Sequence, residues 1–258
     1  MNLYAKYFSM HIKSQMQYKV SFFFTTLGQF LVSFAMFLSI SFLFARFDSV
    51  GGFTYEEVLI CFAVMLMAFS LGEFFGRGFD LFPRLLGDGG FDRALVRPRN
   101  VIFQVLASQM NFTRLGRLLQ AAIVLVYALP RSGVVWTLDN IFTLSLMIIC
   151  GSIVFFGLFV MYASIAFFTV QGLEAMNLLT NGGQEHGRLP FGVYGDGVLK
   201  FLTFVVPLAL VQYYPLQYLV GRTNNFLYAL LPLLATAFLL PCYVLFRVGL
   251  RFYKSTGS

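Results

Sequence analysis

Val58-Leu-Ile-Cys-Phe-Ala-Val-Met-Leu-Met-Ala-Phe-Ser-Leu-Gly-Glu-Phe-Phe75 leads, after Gly76, into Arg77-Gly-Phe-Asp-Leu-Phe-Pro-Arg-Leu-Leu-Gly-Asp-Gly-Gly-Phe-Asp-Arg-Ala-Leu-Val-Arg-Pro-Arg99. The first segment is apolar almost to its end, where Glu73 is its only charge. It approaches the run of about 20 residues that a bilayer-crossing helix needs. The second is the one extended polar stretch of the chain. It carries Arg77, Arg84, Arg93, Arg97 and Arg99 with Asp80, Asp88 and Asp92, yet keeps Phe79, Leu81, Phe82, Phe91, Leu95 and Val96. A merely solvated linker has no use for those apolar side chains. The junction predicts a membrane span that delivers a docking handle to one side.

Outward from it, the composition agrees. The chain is 59% hydrophobic and 11% charged, whereas soluble domains carry about 25% charged residues. Thirty-three phenylalanines against the single Trp136 suit a lipid-facing surface. The expectation is an all-α polytopic membrane protein with a single membrane domain over residues 1–258. Cys61, Cys150 and Cys242 each sit inside an apolar run without metal-ligand spacing, and read as small buried hydrophobes. The apolar run from Val20 to Ala45 is too long for the core of a cleavable signal.

Six apolar stretches are predicted to cross: Val20–Phe44, Val58–Phe75, Val101–Leu129, Ile141–Phe168, Leu199–Leu219 and Phe226–Val248. Six crossings put both termini on one side. With that side cytoplasmic, 15 of the 18 basic residues fall inside, Arg188 and Lys200 among them, and only Arg46, Arg131 and Arg222 fall outside. The positive-inside bias therefore fixes the orientation, and the net charge of +7 points to membrane lipid and not to nucleic acid. Residues 1–19 repeat Leu3, Tyr4, Tyr7, Phe8, Ile12 and Met16 at three- and four-residue steps, with Lys6 and Lys13 mainly on the other side. That is the pattern of a helix in the headgroup plane, a frayed tail being the alternative. The Gly-rich connection Thr169–Gly197 is too broken to be a regular span.

No phosphate-binding G-x-x-x-x-G-K-[ST] loop, H-E-x-x-H helix or G-x-S-x-G elbow occurs, and His11 and His186 are isolated. No catalytic residue, metal site or cofactor is expected in this chain. The chemistry lies in the handle, residues 76–100. Gly87-Asp-Gly-Gly90 signals a turn, and Phe91–Val96 can form a short helix closed by Pro98. Phe91 and Leu95, one helical step apart, can enter an apolar cleft of a partner while Asp92, Arg93 and Arg97 set register at its rim. The bland alternative is a loop that packs on its own membrane domain.

Arg114 and Arg117 lie midway along Val101–Leu129, and an arginine at bilayer centre costs about 3 kcal/mol or more. Placing both near the inner boundary removes that cost. It leaves them snorkelling toward phosphate or lining a vestibule between subunits. Glu73 can pair with Arg77 or Arg114. Gln29, Gln120 and Gln212 favour the bundle interior, as interhelical hydrogen-bonders or as groups along a translocation path. Tyr213, Tyr214 and Pro215 form an aromatic cluster that suits an interfacial belt or an external gate on a broken or re-entrant helix.

Gly89-Gly-Phe-Asp-Arg-Ala-Leu-Val-Arg-Pro98 resembles the G-x-x-D-x-x-L-x-R-P segment of the ATP-binding-cassette type-2 permeases. Arg77–Arg84, Gly116-Arg-Leu-Leu-Gln120, Leu202-Thr-Phe-Val-Val-Pro207, Tyr213-Tyr-Pro215 and Gly249–Ser258 look like one poorly characterised bacterial branch of that family. The resemblance implies six spans, an N-terminal interfacial helix and a coupling helix between spans two and three. It implies a dimeric permease core in the bacterial plasma membrane, either homo- or heterodimeric, driven by two separate ATPase subunits that bind ATP and Mg and mainly export. A membrane scaffold using the same loop is the alternative, and an ion-coupled carrier would need acidic residues in its spans beyond Glu73.

Overall fold

The computed structural model describes residues 3–169 and 172–253. Lys254 and the rest of the predicted C-terminal match lie outside them. Among the described residues four helices are long and apolar enough to cross a membrane. They are α2 (Lys19–Phe44), α3 (Tyr55–Asp80, continued by α4, Phe82–Gly87), α8 (Leu138–Ala166) and the pair α13 (Leu227–Ala235) and α14 (Leu239–Phe252). An all-α polytopic membrane protein is what these elements form.

α3 is the central post. Thr54 and Glu57 close a capping box at its start, which satisfies two backbone donors that a helix beginning leaves open. From there Val58 to Leu66 are buried without interruption, because α8 and α7 (Leu115–Ala128) cover its faces. Close approach needs glycine at two places. A Cβ on Gly78 would lie 1.9 Å from the Val105 carbonyl oxygen of α6 (Val101–Ser108), and one on Gly116 would lie 2.1 Å from the Thr26 carbonyl oxygen of α2.

The two ends of the body differ. At the basic end lie the end of α3, α4, α5 (Gly90–Leu95), α6, and α1 (Leu3–Met16), which packs along α6. Tyr7 meets Phe103 edge-on, Phe8 meets Phe74 and Phe112, and His11 donates from Nε2 to the Ala107 carbonyl at 2.9 Å. Lys6 and Lys13 remain exposed, as the amphipathic reading expects. At the opposite end Arg222 stacks over Phe53 and donates to Glu57 and to the Gly52 carbonyl.

The stretch predicted as span three is divided. α6 stays at the basic end, and only α7, 14 residues long, rises to the opposite end. The greater correction concerns span five. The connection that reads as too Gly-rich for a helix contains α9 (Gly172–His186), and this segment makes the end-to-end passage. α9 leaves the basic end beside α8, Gly187 meets Met65 of α3, and Val193 reaches Gly51.

Leu199–Leu219 is not one crossing. α10 (Asp196–Phe204) and the pair α11 (Leu208–Val211) and α12 (Tyr213–Leu219) are bent by 88° about Pro207. α10 starts just after Val193, and α12 ends just before Arg222 bonds Gly52, so both outer limbs sit at the opposite end. Val206 and Leu208, at the bend, are buried against the core. The pair is re-entrant. Arg188 and Lys200 thereby leave the basic end, and the charge asymmetry rests on the remaining residues.

Gly116→Val is expected to destabilise the protein by about 1–3 kcal/mol by forcing α7 off α2. Thermal unfolding of the detergent-solubilised protein measures this, with Gly28→Ala, which meets nothing within 4 Å, as the neutral control.

Candidate functional site

Charge is concentrated at one node. Glu73 on α3 has only 6% of its side chain exposed and faces Arg114 at 2.5 Å, Arg117 at 3.3 Å and Arg77 at 3.6 Å. Arg77 also pairs with Asp80, and Arg114 donates to Gln29 of α2 at 2.8 Å. The sequence anticipates Glu73 with Arg77 or Arg114; the structure gives it both, and Arg117 as well. Two carboxylates against three guanidiniums leave a local excess of positive charge. The arginines do not project freely into a vestibule, since each is tied to Glu73. Gln120, 1% exposed, has no hydrogen-bond partner among the described residues for either end of its amide.

Gln212 does other work. Fully buried, it donates to the carbonyls of Gly187 at 2.8 Å and Leu189 at 2.9 Å, and accepts from the Phe191 amide at 3.1 Å. It satisfies the backbone where α9 ends inside the body, and so acts as a structural staple. Tyr213 packs edge-on to Phe53 and Tyr214, and Tyr214 packs on Tyr228. Pro215 is buried beneath them. The aromatic cluster therefore belongs to the re-entrant pair, at the mouth of the opposite end.

The handle forms the short helix expected of it. Gly89 takes φ 64° and α5 follows, the left-handed turn that only glycine adopts freely. The expectation that Phe91 enters a partner is overturned. Phe91 is 0% exposed and packs within the chain on Phe82, Phe167 and Tyr253, with ring centroids 4.9, 5.8 and 5.0 Å away. Tyr253 donates to Asp92 at 3.0 Å. Burial first, then the bond to and charge of Asp92, push the Tyr253 hydroxyl above its usual range, so it stays protonated and donating.

What faces outward is a ridge. Leu95 is 40% and Val96 85% exposed, and Arg93, Arg97, Pro98 and Arg99 are exposed around them. Its base is clamped to the ends of α8 and α14 by rings, not only to its neighbours in sequence.

Sequence reasoning missed the outer face of α9. Glu174, Asn177, Asn181 and Glu185 are exposed, while Leu173, Met176, Thr180, Gly183 and Gln184 are buried. Steps of three and four residues put the four polar groups on one stripe. Their periodicity was there to be found, but low hydropathy hid the helix. Glu185 pairs with Arg188, and no group of His, Cys, Asp and Glu able to hold a metal occurs among the described residues.

Residues 30–257 match the family model described as ABC-2 family transporter protein. No curated protein and no solved structure gives a significant match.

Removing the carboxylate that all three arginines share leaves Arg114 and Arg117 without an anionic partner among the described residues. Glu73→Gln is expected to destabilise by about 3–5 kcal/mol, well beyond Glu57→Gln at the more exposed pair with Arg222. Denaturation of both variants in detergent checks the ratio.

Proposed function

The chain belongs to the ABC-2 family of transporter proteins, and on that premise we propose that it is the membrane subunit of an ATP-driven exporter. Six legs cross the bacterial plasma membrane, α7 and α9 being the two short ones, and the basic end faces the cytoplasm with both termini. The bias of Lys and Arg to that end supports the orientation. Two copies, or this chain and a second permease, form the core. Two separate ATPase subunits bind ATP and Mg and perform the hydrolysis; this chain performs none.

The observation that carries the reading is the exposed ridge Leu95-Val-Arg-Pro-Arg99 on an aromatic base. Leu95 and Val96 offer apolar contact and the arginines set register. A push on α5 is passed through Phe91 to Phe167 and Tyr253, hence to the ends of α8 and α14. Coupling to spans two and three alone is too narrow a description. Closure of the two ATPases then rocks the permease subunits and switches access between the two ends.

The translocation path follows the polar stripe of α9. Carboxylates and amides at membrane depth are expensive against lipid and belong against a partner subunit or water. Arg114, Arg117, Gln29 and Gln120 stand behind the path as a charged support, and Tyr213, Tyr214 and Pro215 form its external gate.

Leu95→Asp with Val96→Asp is expected to weaken capture of the ATPase subunit from native membranes by about tenfold or more while leaving thermal stability unchanged. Phe91→Asp should instead lower stability itself. Undiminished capture by the double variant would overturn the ridge; recovery of the folded wild-type chain with no ATPase at all would favour a membrane scaffold. For the path, Asn181→Cys is expected to become protected from a bulky water-soluble maleimide when two permease subunits are assembled. Labelling that is the same in monomer and assembly would remove α9 from the seam.

A further inference from the structure

We infer that the cleft between the α1–α2 turn and the end of α3 binds the phosphate of a lipid headgroup. The cleft has a volume of about 440 Å³, and its lining combines hydroxyl and amide side chains with Phe22, Leu81, Met110 and a single ion, Arg77. Ser14, Tyr18 and Ser21 line one wall. Their hydroxyls make no hydrogen bond within the described residues. Arg77 meets Glu73 and Asp80 through Nη1, and among the described residues Nε and Nη2 make no hydrogen bond to a carboxylate. No acidic residue lines the cleft. A phosphate has several acceptor oxygens and no need of a carboxylate, and a guanidinium fork with hydroxyls around it is the donor set that suits it.

The surroundings favour the anion further. Behind Arg77 stand Arg114 and Arg117, and the three guanidiniums together outnumber Glu73 and Asp80 by one charge. Ser21, Thr25 and Gln29 follow at four-residue steps down α2, so one polar stripe leads from the cleft to Arg114.

Position distinguishes a lipid from a dissolved anion. The cleft lies where α1 turns into α2, at the headgroup level that the amphipathic α1 implies. Beside it Val20, Phe23 and Phe24 are 70%, 61% and 64% exposed, a surface on which acyl chains can lie while the phosphate sits in the cleft. This site is separate from the α9 stripe and does not depend on the ATPase.

Native mass spectrometry of the full chain in detergent tests this, with phosphatidylglycerol and diacylglycerol of the same acyl chains as probes. Phosphatidylglycerol should be retained about tenfold more than diacylglycerol, and the excess should vanish in Arg77→Gln. Because Arg77 also holds Glu73, a second variant, Ser21→Leu, fills the cleft from an exposed position and should lose the lipid without a change in thermal unfolding. Equal retention of both lipids, or full retention of phosphatidylglycerol in both variants, overturns the site. Displacement of the lipid by millimolar inorganic phosphate assigns the same donors to free phosphate and overturns the lipid as their occupant.

Discussion

One carboxylate, Glu73, holds three arginines at a depth where an unpaired charge is untenable. Breaking a buried pair by removing one partner costs about 3–5 kcal/mol, since the remaining charge has nowhere to go. Here the carboxylate is on α3, two of its partners on or beside α7, and Arg114 reaches on to Gln29 of α2. The three helices are thereby fixed in register at a single level. The near-contact of Gly116 with the Thr26 carbonyl is the geometric condition for it. A side chain there would hold α7 away from α2 and carry Arg114 out of reach of Gln29.

Below the node the chain relies on rings. Phe82, Phe91, Phe167, Phe246 and Tyr253 pack edge-on or tilted, with centroids between 4.9 and 5.9 Å. Such pairs add about 0.5–1.5 kcal/mol each beyond the burial of their area. They come from four separate parts of the sequence, so the handle is not a loose loop laid on the surface. It is a rigid projection whose footing is the core itself, and its six-residue helix needs no stability of its own.

Much of this is written in the chain. α2, α3, α8 and α13–α14 follow from the length of their apolar runs, and α5 from glycines before it and a proline after. What escaped reading has physical causes. α9 alternates Leu173, Met176 and Thr180 with Glu174, Asn177 and Asn181, so its average hydropathy falls although one face is buried. Pro207 announces a break but not which way the chain turns afterwards. Phe91 shares a short helix with Leu95, and periodicity cannot say that Phe167 and Tyr253, distant in sequence, cover the one and leave the other bare. Gln29, Gln120 and Gln212 read alike, yet one is bonded to an arginine, one has no partner among the described residues and one binds backbone.

Gln212 shows how a helix can stop within a membrane body. Its single amide takes up two carbonyls and one amide N–H just beyond α9, groups that no water could serve there. The amide grows from the junction of α11 and α12, so the last turn of the crossing leg and the inner limb of the re-entrant pair are riveted together. Neither can slide past the other without exposing bare backbone to hydrocarbon. At that end the two elements are therefore held together as a single plug.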